Sequence, residues 1–150
     1  MSAAEWRRVL KVNLDGAFFT FRAAARHMIE RDGGGALVGT ASLAAIEGAP
    51  RSEHYAATKG GLISMIRALA VEFARYGVCA NAILPGWIET NMTANAIANE
   101  KFAKNVLPRI PMRRWGEGDD FGGIAVYLMS SASRYHTGDT FLIDGGYALF

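Results

Sequence analysis

The chain has 150 residues, 51% hydrophobic and 20% charged, with a formal net charge of +2. That is the composition of one globular domain able to bury about 70% of its unfolded surface. So small a charge gives no footprint for nucleic acid, the lone Cys79 excludes an internal disulfide and a cysteine-cluster metal site, and His27, His54 and His136 are too dispersed in sequence to suggest a metal motif.

No apolar run approaches membrane-spanning length, and Met1-Ser2-Ala3-Ala4-Glu5 lacks the character of a signal peptide, so a cytoplasmic protein is expected. The arginine pairs Arg7-Arg8 and Arg113-Arg114 read as solvated helix or loop charges. Three rounds of helix then strand follow one another, the pattern of a parallel sheet with crossover helices. The first helix is expected from Ala4 to Arg31, where Trp6, Val9, Leu10, Leu14, Ala17, Phe18, Phe21, Ala25 and Met28 recur at helical spacing. Gly33-Gly34-Gly35 stops it, and Ala36 to Thr40 is short and apolar enough for a buried strand.

A second helix starts near Ser52 as N-cap, carries the stripe Tyr55, Lys59, Leu62, Ile66, Leu69 and Phe73, and ends at Gly77. The strand Val78 to Leu84 follows and breaks at Pro85-Gly86; Cys79 within it reads as a buried, inert thiol. Trp87 to Leu107 is less regular, with a short helix from Ala94 to Val106 before Pro108 and Pro111. A third helix spans Asp119 to Met129, and Thr140 to Ile143 makes the last strand. In open α/β sheets ligands bind beyond the carboxyl ends of strands, where Ser42 and Pro85-Gly86 fall.

Four residues with polar groups break the apolar pattern. Lys59 lies on the stripe of its helix, and a lysine is rarely buried without a partner. Tyr55 is one turn earlier on the same side. A phenol ionises near pH 10, so using its anion near neutrality means favouring it by roughly 4 kcal/mol, and a nearby ammonium supplies such help. The alternative is a pair that merely snorkels from a core edge, and the spacing alone carries little weight. Ser42, directly after a strand, changes the balance: its hydroxyl can donate to a substrate oxygen, although a turn or cap bond is the plainer role. A serine-hydrolase reading fails for want of a G-x-S-x-G turn, and His54, beside Tyr55, should point elsewhere. Asn13 falls on the apolar seam of the first helix, and its amide must be hydrogen-bonded, a neighbouring backbone being one way to satisfy it.

Taken together, Val12-Asn13-Leu14-Asp15-Gly16, the span from Ser42 to Tyr55-Ala56-Ala57-Thr58-Lys59, Asn81 through Pro85-Gly86-Trp87-Ile88-Glu89-Thr90, and Thr137-Gly138-Asp139 through Asp144-Gly145-Gly146 resemble the short-chain dehydrogenase/reductase family over essentially the whole chain. The resemblance implies the C-terminal half of a Rossmann-type, doubly wound α/β fold, with a parallel sheet and crossover helices. It implies hydride transfer between NAD or NADP and a small alcohol or carbonyl substrate. By that likeness Tyr55 is general acid in reduction and base in oxidation. Lys59 favours the phenolate and hydrogen-bonds the nicotinamide ribose, and Ser42 holds the substrate oxygen. Asn13 disturbs its helix so that a carbonyl holds a water relaying protons to Lys59. Pro85 and Gly86 line the nicotinamide pocket, with the Ile88 backbone and Thr90 hydroxyl on its carboxamide. The stretch from Trp87 to Leu107 resembles a substrate lid, and pairing of the two long helices with their copies implies a homotetramer.

The departures matter as much. The family opens with a strand, a Gly-rich turn and a helix that grip the pyrophosphate; here Gly33-Gly34-Gly35 follows a helix. The family's Asn-Ala-Gly motif is absent too, and Cys79 stands where relatives often carry arginine. Roughly 90–100 residues are missing at about 30 per βαβ unit, and with them the residue that selects NAD or NADP. The expectation is a fragment or an internal-start gene product whose Ala36–Thr40 edge is open to aggregation and which binds NAD(P)H poorly alone. The competing expectation is a non-catalytic truncated paralogue that assembles with full-length relatives. Substrates from sugar alcohols and gluconate-like acids to acyl-carrier ketones and steroids suit such a scaffold, in a pocket bounded by Leu43 to Arg51, Trp87 and the lid. Arg51 and Glu53 there read first as solvated loop charges.

Overall fold

The computed structural model describes residues 1–149. Strands β1 (Gly35–Thr40), β2 (Val78–Pro85) and β3 (Thr140–Ile143) lie in that order in one sheet, every pair parallel. β2 is central and reads as a nearly unbroken apolar run, as a strand covered on both faces should. Its Val78, Ala80, Ala82 and Leu84 enter the main core with Leu37 and Ala41. The alternate residues point the other way. Cys79 Sγ lies 3.7 Å from Arg134 O, so the thiol is half-buried rather than sealed in the core. Asn81 is buried there, its amide donating to His136 O (2.8 Å) and its oxygen accepting the Asp139 N–H (3.0 Å). Thr137 and Gly138 bond the Ala80 N–H and C=O, so pairing with β2 begins before β3 itself.

The long first helix departs from expectation. It is α1 (Ala3–Leu10), one wide turn at Lys11–Asp15, then α2 (Gly16–Glu30). The Gly16 N–H bonds Lys11 O, five residues back instead of four, which inserts a π turn around Asn13. α2 then turns Ala17, Phe21, Ala24, Ala25 and Met28 to the core. Phe18, expected on that face, is exposed beside Phe19; their rings meet edge-on at 5.5 Å with the Arg22 guanidinium over both. The chain leaves α2 through Asp32 and Gly34, both at positive φ, while Gly35 already pairs in β1. A Cβ on Gly34 would stand 2.6 Å from Gly77 O, so glycine is required where the two strands begin.

α3 (Glu53–Phe73) buries Thr58, Leu62, Ile63, Ile66 and Ala70 against the sheet, each fully buried Leu or Ile contributing about 1.5–3 kcal/mol. Tyr55 and Lys59 flank that face and are half-buried. Ser52 precedes the helix but, contrary to the expected N-cap role, its side chain makes no cap bond. A short 3-10 turn and Gly77 in the left-handed region (φ 70°) end the helix as expected. The single helix expected from Ala94 to Val106 is two, α4 (Ala94–Ile97) and α5 (Glu100–Val106), divided where Asn99 Oδ1 caps the Phe102 N–H at 3.0 Å. The third helix begins later than expected: Gly118–Phe121 is a 3-10 turn, followed by α6 (Gly122–Met129). α2 and α3 cover one face of the sheet, and α6 with the segment before β3 takes the other. A second cluster, Leu43, Val106, Ile110 and Tyr147 with Trp87, Phe102 and Trp115, joins the lid-like segment to the chain's last turn.

The carboxyl ends of β2 and β3 meet at Gly86, whose N–H bonds Ile143 O at 3.0 Å. A Cβ there would stand 2.5 Å from Asp144 Cβ and 2.7 Å from its Cα. Because backbone must move to admit it, Gly86→Ala is expected to cost about 1–3 kcal/mol, read as a lower urea midpoint at unchanged slope.

Candidate active site

The four residues singled out by sequence collect around the first two turns of α3 and the tip of β1. Lys59 Nζ donates to Thr40 O at 2.8 Å. The partner its burial demanded is thus a backbone carbonyl at the end of β1, and two ammonium protons remain. Burial pushes the Lys59 pKa below the ordinary lysine value, and its nitrogen lies 5.5 Å from the centre of the Tyr55 ring. Ser42 has extended backbone and caps the 3-10 turn Leu43–Ala45, its Oγ accepting the Ala44 N–H at 3.2 Å. Accepting that bond leaves the hydroxyl proton free, so the cap role and a donor role coexist.

Asn13, inside the π turn, donates its amide to Thr58 Oγ1 at 3.2 Å, and Thr58 donates to Tyr55 O at 2.7 Å. A side chain rather than a neighbouring backbone satisfies it. Thr58 escaped sequence reasoning, although its place between Tyr55 and Leu62 on the inner face is a visible signal. The ring of His54 lies toward α1, its Nε2 3.8 Å from Glu5 Oε1, while its Nδ1 accepts the Tyr55 backbone N–H at 2.8 Å.

Beyond β2, Ile88 forms a parallel bridge with Gly116, made by Glu89 N–H to Gly116 O (2.8 Å) and Gly116 N–H to Trp87 O (2.9 Å). In that geometry the Ile88 N–H points away from Gly116. Thr93, also missed in the sequence, knots the segment: its hydroxyl donates to Ile88 O at 2.5 Å and accepts the Thr90 N–H at 3.0 Å, with Thr90 Oγ1 at 3.1 Å. Pro85 ends β2 immediately before this turn.

A cleft of about 250 Å³ lies beside it, lined by Trp87, Ile88, Arg114 and Asp120 among others. Arg114 is no free loop charge: its guanidinium grips Asp120 with two bonds of 2.7 and 2.6 Å. That bond, and one from the Glu117 N–H, hold the Asp120 carboxyl at about 2 rather than its ordinary 3.8. A carboxylate held low stabilises the fold above its unfolded pKa and loses that contribution as pH falls through its folded one. The clasp is therefore expected to be whole above pH 3.8 and to open toward pH 2. Arg114→Ala should return the Asp120 titration toward the ordinary range, followed by carboxyl-carbon NMR at low salt.

Among the described residues no His, Cys, Asp or Glu group gathers that could hold a metal ion, and no helix is long and apolar enough to cross a membrane. A family model described as enoyl-(acyl carrier protein) reductase matches residues 1–148. The chain belongs to the short-chain dehydrogenase/reductase family. It is similar to the L-rhamnose 1-dehydrogenase (NAD(P)(+)) of Azotobacter vinelandii, 39% identical over 139 residues, 93% of this chain and 54% of that protein. The 2-dehydro-3-deoxy-D-gluconate 5-dehydrogenase of Escherichia coli is 38% identical over 146 residues, 97% of this chain and 58% of that protein. Among solved structures, a gluconate 5-dehydrogenase from Burkholderia cenocepacia in complex with NADP and tartrate superimposes with a TM-score of 0.96 at 34% identity, over 100% of this chain and 58% of that one. The chain spans a little over half the length of the curated relatives it matches. The α/β, Rossmann-type fold of this family is the one expected from the sequence.

Proposed function

We propose that this chain is the catalytic and substrate-facing part of an NAD(P)-dependent oxidoreductase, moving a hydride between nicotinamide and an alcohol or carbonyl carbon. The observation that carries the reading is the Lys59–Thr40 bond of 2.8 Å, which holds the Tyr55 turn against the tip of β1, directly before Ser42. When bound, NAD(P) supplies or accepts the hydride. Tyr55 gives its phenolic proton to the substrate oxygen in reduction and takes it back in oxidation. Ser42 donates its free proton to the same oxygen and steadies the charge that builds there. Lys59 keeps two N–H donors for the nicotinamide ribose and lends its charge to the phenol oxygen. Asn13, through its π turn, is assigned the water relay behind Lys59.

The residues present suit the nicotinamide end of the cofactor. The Ile88 N–H is turned away from its bridge partner, Thr90 carries a hydroxyl, and Pro85-Gly86 forms the floor. Among the described residues the pyrophosphate end has no counterpart: Gly33-Gly34-Gly35 leaves a helix and enters a strand, the reverse of a phosphate loop. Names of the similar proteins point to a polyhydroxylated aldose or sugar acid as substrate class. A cytoplasmic homotetramer built on the helix faces is part of the same proposal, supported by Val12, Phe18, Phe19 and Val71 standing exposed on the first helical segment and α3. Those faces also suit the second reading, a non-catalytic partner of longer relatives.

Two measurements test this. The 150-residue chain should bind NADPH weakly and turn over slowly or not at all; a micromolar Kd by calorimetry overturns that part. Joined to a strand, Gly-rich turn and helix of the family type, it should oxidise or reduce sugar acids in a nicotinamide absorbance assay. Tyr55→Phe should then lower kcat by roughly 10²–10⁴ with the fold unchanged by circular dichroism. Undiminished turnover would remove Tyr55 from the mechanism, and an inert parent favours the assembly-partner reading.

A further inference from the structure

The Tyr55 N–H is at the third position of α3, one of the donors no helix carbonyl can reach. An N-cap serine ordinarily accepts such a donor, yet the Ser52 side chain does not. His54 does so instead, through Nδ1 at 2.8 Å. An imidazole nitrogen that accepts from an amide carries no proton, so the neutral ring holds its proton on Nε2. Nε2 faces α1, where Glu5 Oε1 lies 3.8 Å away; the His54 side chain is only 13% exposed. The Tyr55 carbonyl is meanwhile held by Thr58, itself held by Asn13. Both ends of residue 55 are thus fixed by side chains that the first helical segment braces, from α1 on one side and the π turn on the other.

We infer that His54 is a positioning residue for Tyr55. Neutral, it accepts the Tyr55 N–H and fixes the turn that carries the phenol. The relevance to proton transfer rests on the proposed role of Tyr55; the bond itself does not. Protonation of His54 turns Nδ1 into a donor facing a donor, and the bond is lost. The other charges at this corner are Glu53, whose Oε1 accepts the Arg51 N–H at 3.2 Å, and Arg51 itself, both bordering the open depression above Glu5. Lys59 stands on the far side of the turn, bonded to Thr40 O.

The test is amide hydrogen exchange at Tyr55, followed by NMR in the chain as it exists, so it reads out whether or not the chain turns over. Asparagine places an acceptor where Nδ1 is and cannot titrate; glutamine places its amide where Nε2 is. His54→Asn should keep the Tyr55 amide protected as in the parent, and His54→Gln should exchange roughly five- to tenfold faster, the loss of one ordinary hydrogen bond. The Tyr55 ring-carbon signals should shift with Gln and stay in place with Asn. Equal protection in the Asn and Gln variants overturns the inference.

Discussion

A cation drawn onto the inner flank of a helix must find an acceptor, and here it finds the last carbonyl of β1. The Lys59–Thr40 bond of 2.8 Å ties the start of α3 to the tip of the strand before it. With that point fixed, the helical repeat leaves Thr58, Leu62, Ile66 and Ala70 facing the sheet. Tyr55 and Lys59 then occupy the edge of the buried face, wet enough to meet a ligand and dry enough to matter. The same burial that lowers the Lys59 pKa reduces the screening of its charge, so its field at the phenol is stronger than a surface lysine would exert. Fold and site meet in this one bond.

What the sequence made legible was what violated its own pattern. Ser42, Tyr55, Lys59 and Asn13 stood out because a polar residue on an apolar stripe or at a strand tip demands a reason. What stayed hidden conformed to it. Thr58 and Thr93 are small and locally plausible, and only contacts across many residues or a tight knot of three bonds give them roles. Periodicity hid the π turn, because one extra residue still leaves apolar positions at near-helical spacing; only the family resemblance implied a disturbance at Asn13, and Phe18 ends outside. Ser52 misled because capping preference describes an average, and a histidine two residues on supplied the acceptor first. Arg114 is exposed as expected, but its bidentate partner six residues away leaves no periodic signal.

Gly86 illustrates how a motif can carry two demands. A nicotinamide-lining role is proposed for it, and the packing gives an independent reason for glycine: Asp144 fills the space a Cβ would need. Asp144 is held there by accepting the N–H groups of Gly146 and Ala148, both at 2.8 Å, around a turn in which Gly145 and Gly146 adopt positive φ. Gly145 and Gly146 are thus the brace for the end of β2, an architectural demand beside any ligand-binding one. Substitutions at Gly86 therefore report on stability before they report on ligand.

The layout of the sheet sets how these parts cooperate. Among the described residues β1 pairs with β2 alone, so the Ser42, Tyr55 and Lys59 group sits at the sheet's outer tip, and the Ile88–Thr93 knot follows its neighbour. Adjacent strands lie about 4.8 Å apart, so the groups at the two tips stand side by side. Parallel pairing is what makes this possible, because it alone delivers consecutive strand ends to one side. The Lys59 anchor and the Ile88 turn thus share no element, only one edge of the sheet.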